Sequence, residues 1–243
     1  MSSVVDHYTQ HLGPVYTWMA GGFDSALQRG AAEIDALNLA RPAGATAVDL
    51  GAGFGMHAIP LARLGYKVVA IDSCAALLDD LRSHSGDLPI EAIDGDMLAF
   101  GRYVNARPQL ILCMGDTLTH LPDRAAVSRL IADVAAALVP GGHFVVSFRD
   151  YSRELEGDKR FIPVRSDAHR IFTCFLEYSA AQVTVHDLLH ERDAGEQWKL
   201  QVSSYTKLRL PPEWVSSEFE LAGFAVRREA GLSGMVRLVG QYL

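Results

Sequence analysis

The chain of 243 residues contains little cysteine, no excess of positive charge and no long apolar run. Its three cysteines are odd in number and widely spaced without a C-x-x-C pair, which argues against a disulfide framework or a cysteine zinc site. The most apolar stretch, residues 130–139, is short and carries Asp133, so no segment is predicted to span a membrane. Because a basic and apolar leader pattern is also missing, we expect no signal peptide and a reducing, cytoplasmic setting.

The charge balance argues against polyanionic partners. Lys and Arg number 22 against 29 Asp and Glu, which gives a formal net charge of −7. A mildly acidic chain without a basic stripe offers no electrostatic attraction to nucleic acids or anionic lipids. We therefore expect a small-molecule substrate, no nucleic acid and no membrane, and we leave a homodimer open.

Short apolar runs alternate with helical patterns from residue 46 to residue 148. Runs such as Thr46–Leu50 and His143–Phe148 are rich in Val, Leu and Phe, as is typical of strands buried on both faces of a sheet. Repeated strand–helix units of this kind predict a doubly wound, mostly parallel α/β sheet of the Rossmann-like type.

The rest of the chain has different patterns. Residues 151–210 form longer, partly alternating segments without helices between them, which predicts an insertion of antiparallel strands. Residues 211–243 begin with Pro211 and Pro212 at a helix start and end in two strand-like runs. Residues 1–40 are aromatic and helical, so we interpret them as a cover over the core at 41–150. We predict a single domain over 1–243.

Three glycines follow the first predicted strand. Gly51, Gly53 and Gly55 are spaced by two and two, whereas a dinucleotide fingerprint requires a third glycine at position 56, which is Met56. Asp72 ends the second strand 21 residues after Gly51, where a carboxylate can accept both hydroxyls of an adenosine ribose. A glycine turn alone is a weak signal. The acid at this spacing suits a dinucleotide as well as another cofactor that contains adenosine.

A further acid follows the third predicted strand. The carboxylate of Asp96 could accept from an adenine amino group, while the side chain of Met97 packs on the ring. A simple helix cap is the alternative role of Asp96, and both roles are compatible.

Together these motifs resemble those of the class I S-adenosylmethionine-dependent methyltransferases. The resemblance is carried by residues 48–55, by Asp72, by residues 94–96 and by the Leu-Val-Pro-Gly-Gly-His-Phe segment at 138–144. It implies a seven-stranded sheet with a reversed final hairpin, S-adenosyl-L-methionine as cofactor and S-adenosyl-L-homocysteine as product. The residues implied or inferred to bind the cofactor are Tyr16, Arg29, Gly51, Ala52, Gly53, Asp72, Ser73, Asp96, Met97 and Met114.

Two later segments are similar to those of glycine N-methyltransferase-like small-molecule methyltransferases. They are Cys-Met-Gly-Asp-Thr-Leu-Thr-His-Leu-Pro-Asp at 113–123 and Ser-Phe-Arg-Asp-Tyr at 147–151, and the order Tyr8, Tyr16, Arg29 in the cover is also similar. This resemblance implies an in-line methyl transfer to a small acceptor, either an amine or a carboxylate-bearing metabolite.

Four residues are candidates for acceptor binding and catalysis. Asp116 stands where that family has Asn, and its carboxylate would favour a cationic or donor-rich group. Such a charge would also keep an acceptor amine protonated, which counts against glycine. The fork of Arg149 suits a carboxylate, and a surface ion pair with Asp150 or Asp158 is its alternative role. Tyr8 could direct its hydroxyl to the transferring methyl group, and His120 could be a general base, although packing roles compete for both.

Two further functions compete with this interpretation. A nicotinamide-dependent oxidoreductase shares the glycine turn and Asp72, and a non-catalytic S-adenosylmethionine-binding module would keep the same pocket. We predict no metal site, because His186 and His190 share the i, i+4 spacing of a helical pair but lie in a strand-like pattern.

Overall fold

The computed structural model describes residues 4–40, 44–193 and 195–243, without the side chain of Val5. The predicted boundary between cover and core adjoins residues 41–43, which lie outside the described residues. The helices are α1 (Val4–His7), a π-helix (Tyr8–Leu12), α2 (Gly13–Met19), α3 (Phe23–Ala36), α4 (Ala58–Arg63), α5 (Ala75–Ser85), α6 (Arg124–Ala137) and α7 (Pro212–Leu221). Short 3₁₀ helices cover Met97–Arg102, Thr117–His120, Gly157–Arg160 and Leu232–Gly234.

The strands form two sheets. They are β1 (Thr46–Leu50), β2 (Lys67–Asp72), β3 (Ile90–Asp94), β4 (Leu110–Cys113), β5 (His143–Phe148), β6 (Phe161–Ser166), β7 (Arg170–Tyr178), β8 (Gln182–Arg192), β9 (Trp198–Leu208), β10 (Phe224–Ala230) and β11 (Val236–Tyr242).

The central sheet has seven strands in the order β10-β11-β5-β4-β1-β2-β3. Strands β1 to β5 are parallel to one another, whereas β11 runs antiparallel to both β5 and β10. The predicted doubly wound sheet with a reversed final hairpin is therefore confirmed. A dinucleotide-binding sheet of the order 3-2-1-4-5-6 lacks this antiparallel strand, so the topology favours the methyltransferase arrangement.

Burial on both faces explains the continuous apolar runs of the central strands. On one face, Val48 and Ile111 pack with helix α6. On the other face, Ala47 and Leu112 pack with Ile59 of α4. Both faces are dry, so the strands need apolar residues at every position rather than at alternate ones.

The second sheet has the order β6-β7-β8-β9 and is antiparallel throughout. Its strand β8 alternates between more and less buried residues, with Val183, Val185, Asp187 and Leu189 on the buried face. This period of two is typical of a sheet with one covered face. The covered face of this sheet turns toward the cover and the carboxyl ends of β4 and β5.

The cover joins the two sheets. Leu12 and Val15 pack against Phe172 and Leu189 of the second sheet. The Trp18 Nε1–H donates to Asp167 Oδ2 at 2.6 Å. None of the helices in the described part of the chain has both the length and the apolar character needed to cross a bilayer.

Candidate active site

The glycine turn connects β1 to the loop before α4. The backbone N–H groups of Gly51 and Ala52 both donate to the Ile71 carbonyl, which ties the turn to the end of β2. Gly51 has φ of 73°, and a Cβ there would lie 2.3 Å from Thr117 Cγ2. Gly53 also has a positive φ, of 52°, but a Cβ there would meet only Leu77 Cδ1 at 3.8 Å. The turn is therefore open at Gly53, where a ligand could approach the backbone.

The Asp72 carboxylate lies beside this turn. Its Oδ2 accepts from the Gly53 N–H at 2.7 Å, and its Oδ1 accepts from the Cys74 N–H at 2.8 Å. Burial raises the pKa of Asp72, against the lowering effect of these backbone hydrogen bonds. A carboxylate has about four lone-pair sites, so each oxygen can still accept a hydroxyl. The next residue, Ser73, is exposed.

Asp96 acts as the cap of a 3₁₀ helix. Its Oδ1 accepts from the Leu98 N–H at 2.9 Å, which is the alternative role weighed from the sequence. Met97 is half-buried at the first position of that helix. Their contacts with an adenine ring stay predictions, but the loop that carries them follows β3, the neighbour of β2 in the sheet.

The cover packs onto the glycine turn through aromatic rings. The ring of Tyr16 lies 5.9 Å from that of Phe54, and Tyr8 lies 5.9 Å from Tyr16. Arg29 donates to the Ala20 carbonyl and to Ser25 Oγ, so in the structure it fastens α3 to the end of α2. A role of Arg29 in holding the cofactor stays a prediction.

These residues fit an S-adenosylmethionine molecule. The open backbone at Gly53, the half-buried carboxylate of Asp72 and the aromatic cover at Tyr16 are compatible with its main chain, ribose and sulfonium, and these contacts stay predictions. Met114, which is 3% exposed, directly follows β4, the neighbour of β1 in the sheet, and its contact with the same ligand stays a prediction.

A cavity of about 400 Å³ lies between the second sheet, the cover and the ends of β4 and β5. Its walls are mainly aliphatic and aromatic. The residues that line it include Tyr8, Leu12, Tyr16, Met19, Gly115, Asp116, Arg149, Tyr151, Arg153, Ile162, Phe172, Cys174, Leu176, Val185, Asp187, Tyr205, Lys207 and Met235. Tyr8 and Tyr16 belong both to this cavity and to the cover over the glycine turn.

Asp116 lies at the inner end of the cavity and is 4% exposed. Its Oδ1 accepts from the Arg149 N–H at 2.9 Å, and its Oδ2 accepts from Tyr151 Oη at 3.1 Å and Lys207 Nζ at 2.5 Å. Burial alone would raise the pKa of Asp116, but the Lys207 ammonium and the Arg149 N–H outweigh it and hold the pKa below its ordinary value. Asp116 is therefore a charged acceptor whose counterion is supplied by the protein.

This pairing changes the role expected for Asp116. The carboxylate was expected to attract a cationic substrate group, but Lys207 already occupies that position. Sequence reasoning did not identify Lys207, although a usable signal existed. On β9, Tyr205 and Lys207 are two residues apart and both buried, so the period of two places the lysine on the covered face.

His120 lies beside Tyr8. The Tyr8 hydroxyl and His120 Nε2 are 3.3 Å apart, and the His120 ring stacks on Tyr205 with ring centroids 5.5 Å apart. Burial and then the Lys207 ammonium lower the pKa of His120 to about 3. A neutral imidazole with this pKa is a weak base. His120 therefore fits better as a partner that orients Tyr8 than as the general base considered from the sequence.

We expect His120→Gln to flatten the acid sensitivity of folding. The folded-state pKa lies below the unfolded value, so the unfolded chain takes up a proton first as pH falls through 6.5. The wild-type chain should then lose about 1–2 kcal/mol more unfolding free energy than the variant between pH 7 and pH 5. Urea unfolding at both pH values measures this difference.

His169→Gln, at an exposed turn, serves as the matched control and should behave as the wild type. Equal pH dependence of wild type and His120→Gln would contradict the prediction.

Arg149 stands at the rim of the cavity. Its side chain is exposed, lines the cavity and donates from Nη1 to the Ser233 carbonyl at 3.1 Å. This position is compatible with the predicted contact to a substrate carboxylate, which stays a prediction.

Two other histidine sites have structural partners. His7, fully buried, bonds through Nε2 to Asp187 Oδ2 at 3.0 Å and so ties the cover to β8. His186 lies on β8, as the sequence pattern indicated, and contacts Glu177 and Ser204. Within residues 4–40, 44–193 and 195–243, no group of three or more potential ligands could hold a metal ion.

Comparisons with known proteins agree with this geometry. Residues 47–142 match the family model described as a methyltransferase domain. The chain is 27% identical over 124 residues to the glycine/sarcosine N-methyltransferase of Parasynechococcus marenigrum, covering 50% of this chain and 44% of that protein. It is 40% identical over 111 residues to the ubiquinone biosynthesis O-methyltransferase of Xylella fastidiosa, covering 43% and 42%. The matches therefore span less than half the length of these curated relatives.

A solved structure matches over nearly the whole chain. It is the S-adenosylmethionine-bound CalS10, an amino pentose methyltransferase from Micromonospora echinaspora, with a TM-score of 0.77 and 19% identity. The alignment covers 96% of this chain and 97% of that one, so the second sheet and the cover belong to the shared fold. Residues 47–142 thus resemble a methyltransferase domain, and nearly the whole chain shares the fold of a methyltransferase solved with S-adenosylmethionine bound.

Proposed function

We propose that the protein is a methyltransferase that moves a methyl group from S-adenosylmethionine to a small molecule bound in the cavity. The observation that carries the proposal is the position of Tyr8 and Tyr16, which belong both to the cavity and to the cover of the glycine turn. A cavity of about 400 Å³ accommodates a small acceptor directly beside the cofactor site. Such an acceptor space favours an enzyme over a module that only binds the cofactor.

The residues of the chain would work mainly by positioning. S-adenosylmethionine supplies a methyl group that its positively charged sulfur already activates. Asp72 and the backbone at Gly53 hold the cofactor, while Tyr16 closes over it. Tyr8, oriented by His120, borders the space where donor and acceptor meet, and the apolar cavity wall excludes water. This mechanism requires alignment rather than a strong acid or base.

The acceptor proposed from the sequence is an amine or a carboxylate-bearing metabolite. Arg149 at the rim of the cavity supports an acceptor that carries a carboxylate. The relatives and the structural neighbour include methyltransferases named for glycine and sarcosine, for ubiquinone biosynthesis and for an amino pentose. An unpaired carboxylate at Asp116 would keep an acceptor amine protonated, which counted against an amine. Because Lys207 balances the charge of Asp116, this argument no longer applies.

The test is a measurement of S-adenosylhomocysteine release with a panel of small amines, hydroxy acids, phenols and amino sugars. We expect turnover with at least one class of acceptor and stabilisation of the protein by S-adenosylhomocysteine in a thermal shift. Stabilisation by NAD(H) instead would favour the oxidoreductase. Cofactor binding with no turnover by any acceptor would favour the non-catalytic module.

We also propose a cytoplasmic homodimer. Cys74, Cys113 and Cys174 are free thiols, which suits a reducing compartment. On the outer face of the second sheet, Trp198 and Leu200 are each about half exposed. A second copy of the chain could cover this apolar surface. A monomer mass in light scattering would contradict the dimer.

A further inference from the structure

The inner end of the cavity holds an ammonium group that the protein does not saturate. Lys207 is 8% exposed and lines the cavity. Its Nζ donates to Asp116 Oδ2, and in the described part of the chain this ammonium makes no other hydrogen bond. An ammonium has three N–H donors, so two of them remain for a ligand.

Asp116 is less available than its partner. The protein itself already gives this carboxylate three donors, from the Arg149 backbone, Tyr151 and Lys207. A carboxylate accepts about four hydrogen bonds, so little capacity is left for a substrate. The strongest unsaturated polar group at the inner end is therefore a donor with positive charge.

The other titratable groups that face Lys207 do not change this balance. Asp187 is engaged by His7 from the cover and by the thiol of Cys174 from β7. Tyr8 from the cover shares its hydroxyl with His120, and burial lowers the pKa of His120 to about 3. Tyr205 presents its ring to the ammonium, 5.6 Å from Nζ. Arg149 and Arg153 also line the cavity, together with the carboxylate of Asp150, which accepts from the Ser152 N–H.

The walls around this group are apolar. Leu12, Phe172, Leu176 and Val185 line the same cavity as Lys207. A volume of about 400 Å³ accommodates a substituted ring. The surroundings suit an apolar body whose single acidic group reaches the ammonium.

We propose that the acceptor is a phenol or enol on an apolar, ring-sized body, and that Lys207 determines this specificity by binding the hydroxyl as its oxyanion. The inference rests on the proposed methyl transfer, and it replaces the amine or carboxylate-bearing acceptor expected from the sequence with an acidic hydroxyl. A nearby positive charge favours an oxyanion and disfavours an ammonium ion, so the same group selects against protonated amines. The hydroxyl proton leaves to solvent, one carbon–oxygen bond forms, and the sulfur–carbon bond breaks with its electron pair kept by sulfur.

The experiment uses 4-nitrophenol as a probe, because its absorption spectrum distinguishes phenol from phenolate. It is titrated with pH in the presence of the full chain and saturating S-adenosylhomocysteine. We expect the pKa of the bound probe to fall by one unit or more, which means that the phenolate binds about tenfold tighter than the phenol. The neutral analogue 4-nitroanisole should bind without pH dependence.

Variants test whether Lys207 causes the shift. The double variant Asp116→Asn/Lys207→Met removes both charges, so no buried charge is left unpaired, and it should abolish the lowering of the probe pKa. Lys207→Arg should preserve it. Lys199→Met, an exposed lysine on the same strand, is the matched control and should behave as the wild type.

The inference is overturned if the wild type does not bind the probe, if the bound probe keeps its ordinary pKa, or if the double variant lowers that pKa equally. Calorimetry of S-adenosylhomocysteine binding, without the probe, shows whether such a result concerns only the acceptor or also the proposed function. Intact cofactor binding with a failed probe titration rejects only the acceptor class. Loss of cofactor binding in the wild type rejects the proposed function itself.

Discussion

Replacing Asp72 with alanine should weaken S-adenosylhomocysteine binding by about 100-fold or more, because hydrogen bonds to a charged group contribute about 1.5–3 kcal/mol each. In the proposed function, this carboxylate accepts the two ribose hydroxyls of the cofactor. It also accepts from the backbone N–H groups of Gly53 and Cys74 at 2.7 and 2.8 Å. The substitution therefore removes ligand contacts and the acceptor that holds the glycine turn. Isothermal titration calorimetry measures the change.

Asp94→Ala is the matched control for this variant. Asp94 is the register partner of Asp72 on β3, and its side chain is exposed. We expect the affinity of Asp94→Ala for S-adenosylhomocysteine to stay within about threefold of the wild-type affinity, since a surface substitution changes free energies by about 0.5 kcal/mol. Asp72→Ala with near wild-type affinity, in a protein that remains folded by circular dichroism, would contradict the assigned role.

Replacing Lys207 with methionine is expected to lower the free energy of unfolding by about 3–5 kcal/mol at neutral pH, because it leaves a buried charge without its partner. Asp116 is 4% exposed and Lys207 is 8% exposed, so solvent does little to compensate either charge. The double variant Asp116→Asn/Lys207→Met should recover most of this loss. Asn also tolerates the left-handed conformation of position 116, where φ is 76°. Urea denaturation measures all three proteins.

The loss of stability caused by Lys207→Met should depend on pH. In the wild type the pKa of Asp116 is lowered, so the pair stabilises the fold above the unfolded value of about 3.9 and that stabilisation is lost as pH falls. In Lys207→Met the unpaired carboxyl should instead have a raised pKa, so its penalty grows as pH rises. The difference in the free energy of unfolding between the wild type and Lys207→Met should therefore become smaller toward pH 4. Lys199→Met should cost little, since its ion pair with Asp193 is exposed.

A Lys207→Met variant that loses less than about 1 kcal/mol would show that the pair is better hydrated than its burial indicates. A double variant as unstable as the single one would show that packing around the lysine stem, rather than charge, is what the substitution disturbs. Either result would also weaken the case for an oxyanion subsite at this position.

Much of the central sheet was predictable because its signals are local. The strands Thr46–Leu50 and His143–Phe148 have the predicted bounds, since apolar runs of that length flanked by glycine or proline leave few other structures available. The positive φ of Gly51 and Gly53 likewise follows from a turn that only glycine adopts without strain. The N-terminal cover was predicted only as a region. Its π-helix at Tyr8–Leu12 left no sequence signal that we used.

The residues of the acceptor cavity come from distant parts of the chain, so spacing carried little information about them. Asp116 and Lys207 are 91 residues apart and meet only because the second sheet folds back over the ends of β4 and β5. His7 and Asp187, 180 residues apart, meet because the cover packs on that same sheet. In both cases the charge of a side chain was readable, but its partner was not.

In the sequence, the scarcity of cysteine, of positive charge and of long apolar runs argued against disulfides, polyanionic partners and membrane spans. The alternation of apolar runs with helical patterns indicated the fold class, and the glycine turn with its acids indicated the cofactor. These features depend on residues close in sequence or on strands whose order follows from βαβ connections. Only the tertiary structure decided what Asp116 binds, why His120 is a weak base and which group remains for the acceptor. Those properties depend on burial and on charges brought together by packing, and an electrostatic environment is fixed by distances in space rather than along the chain.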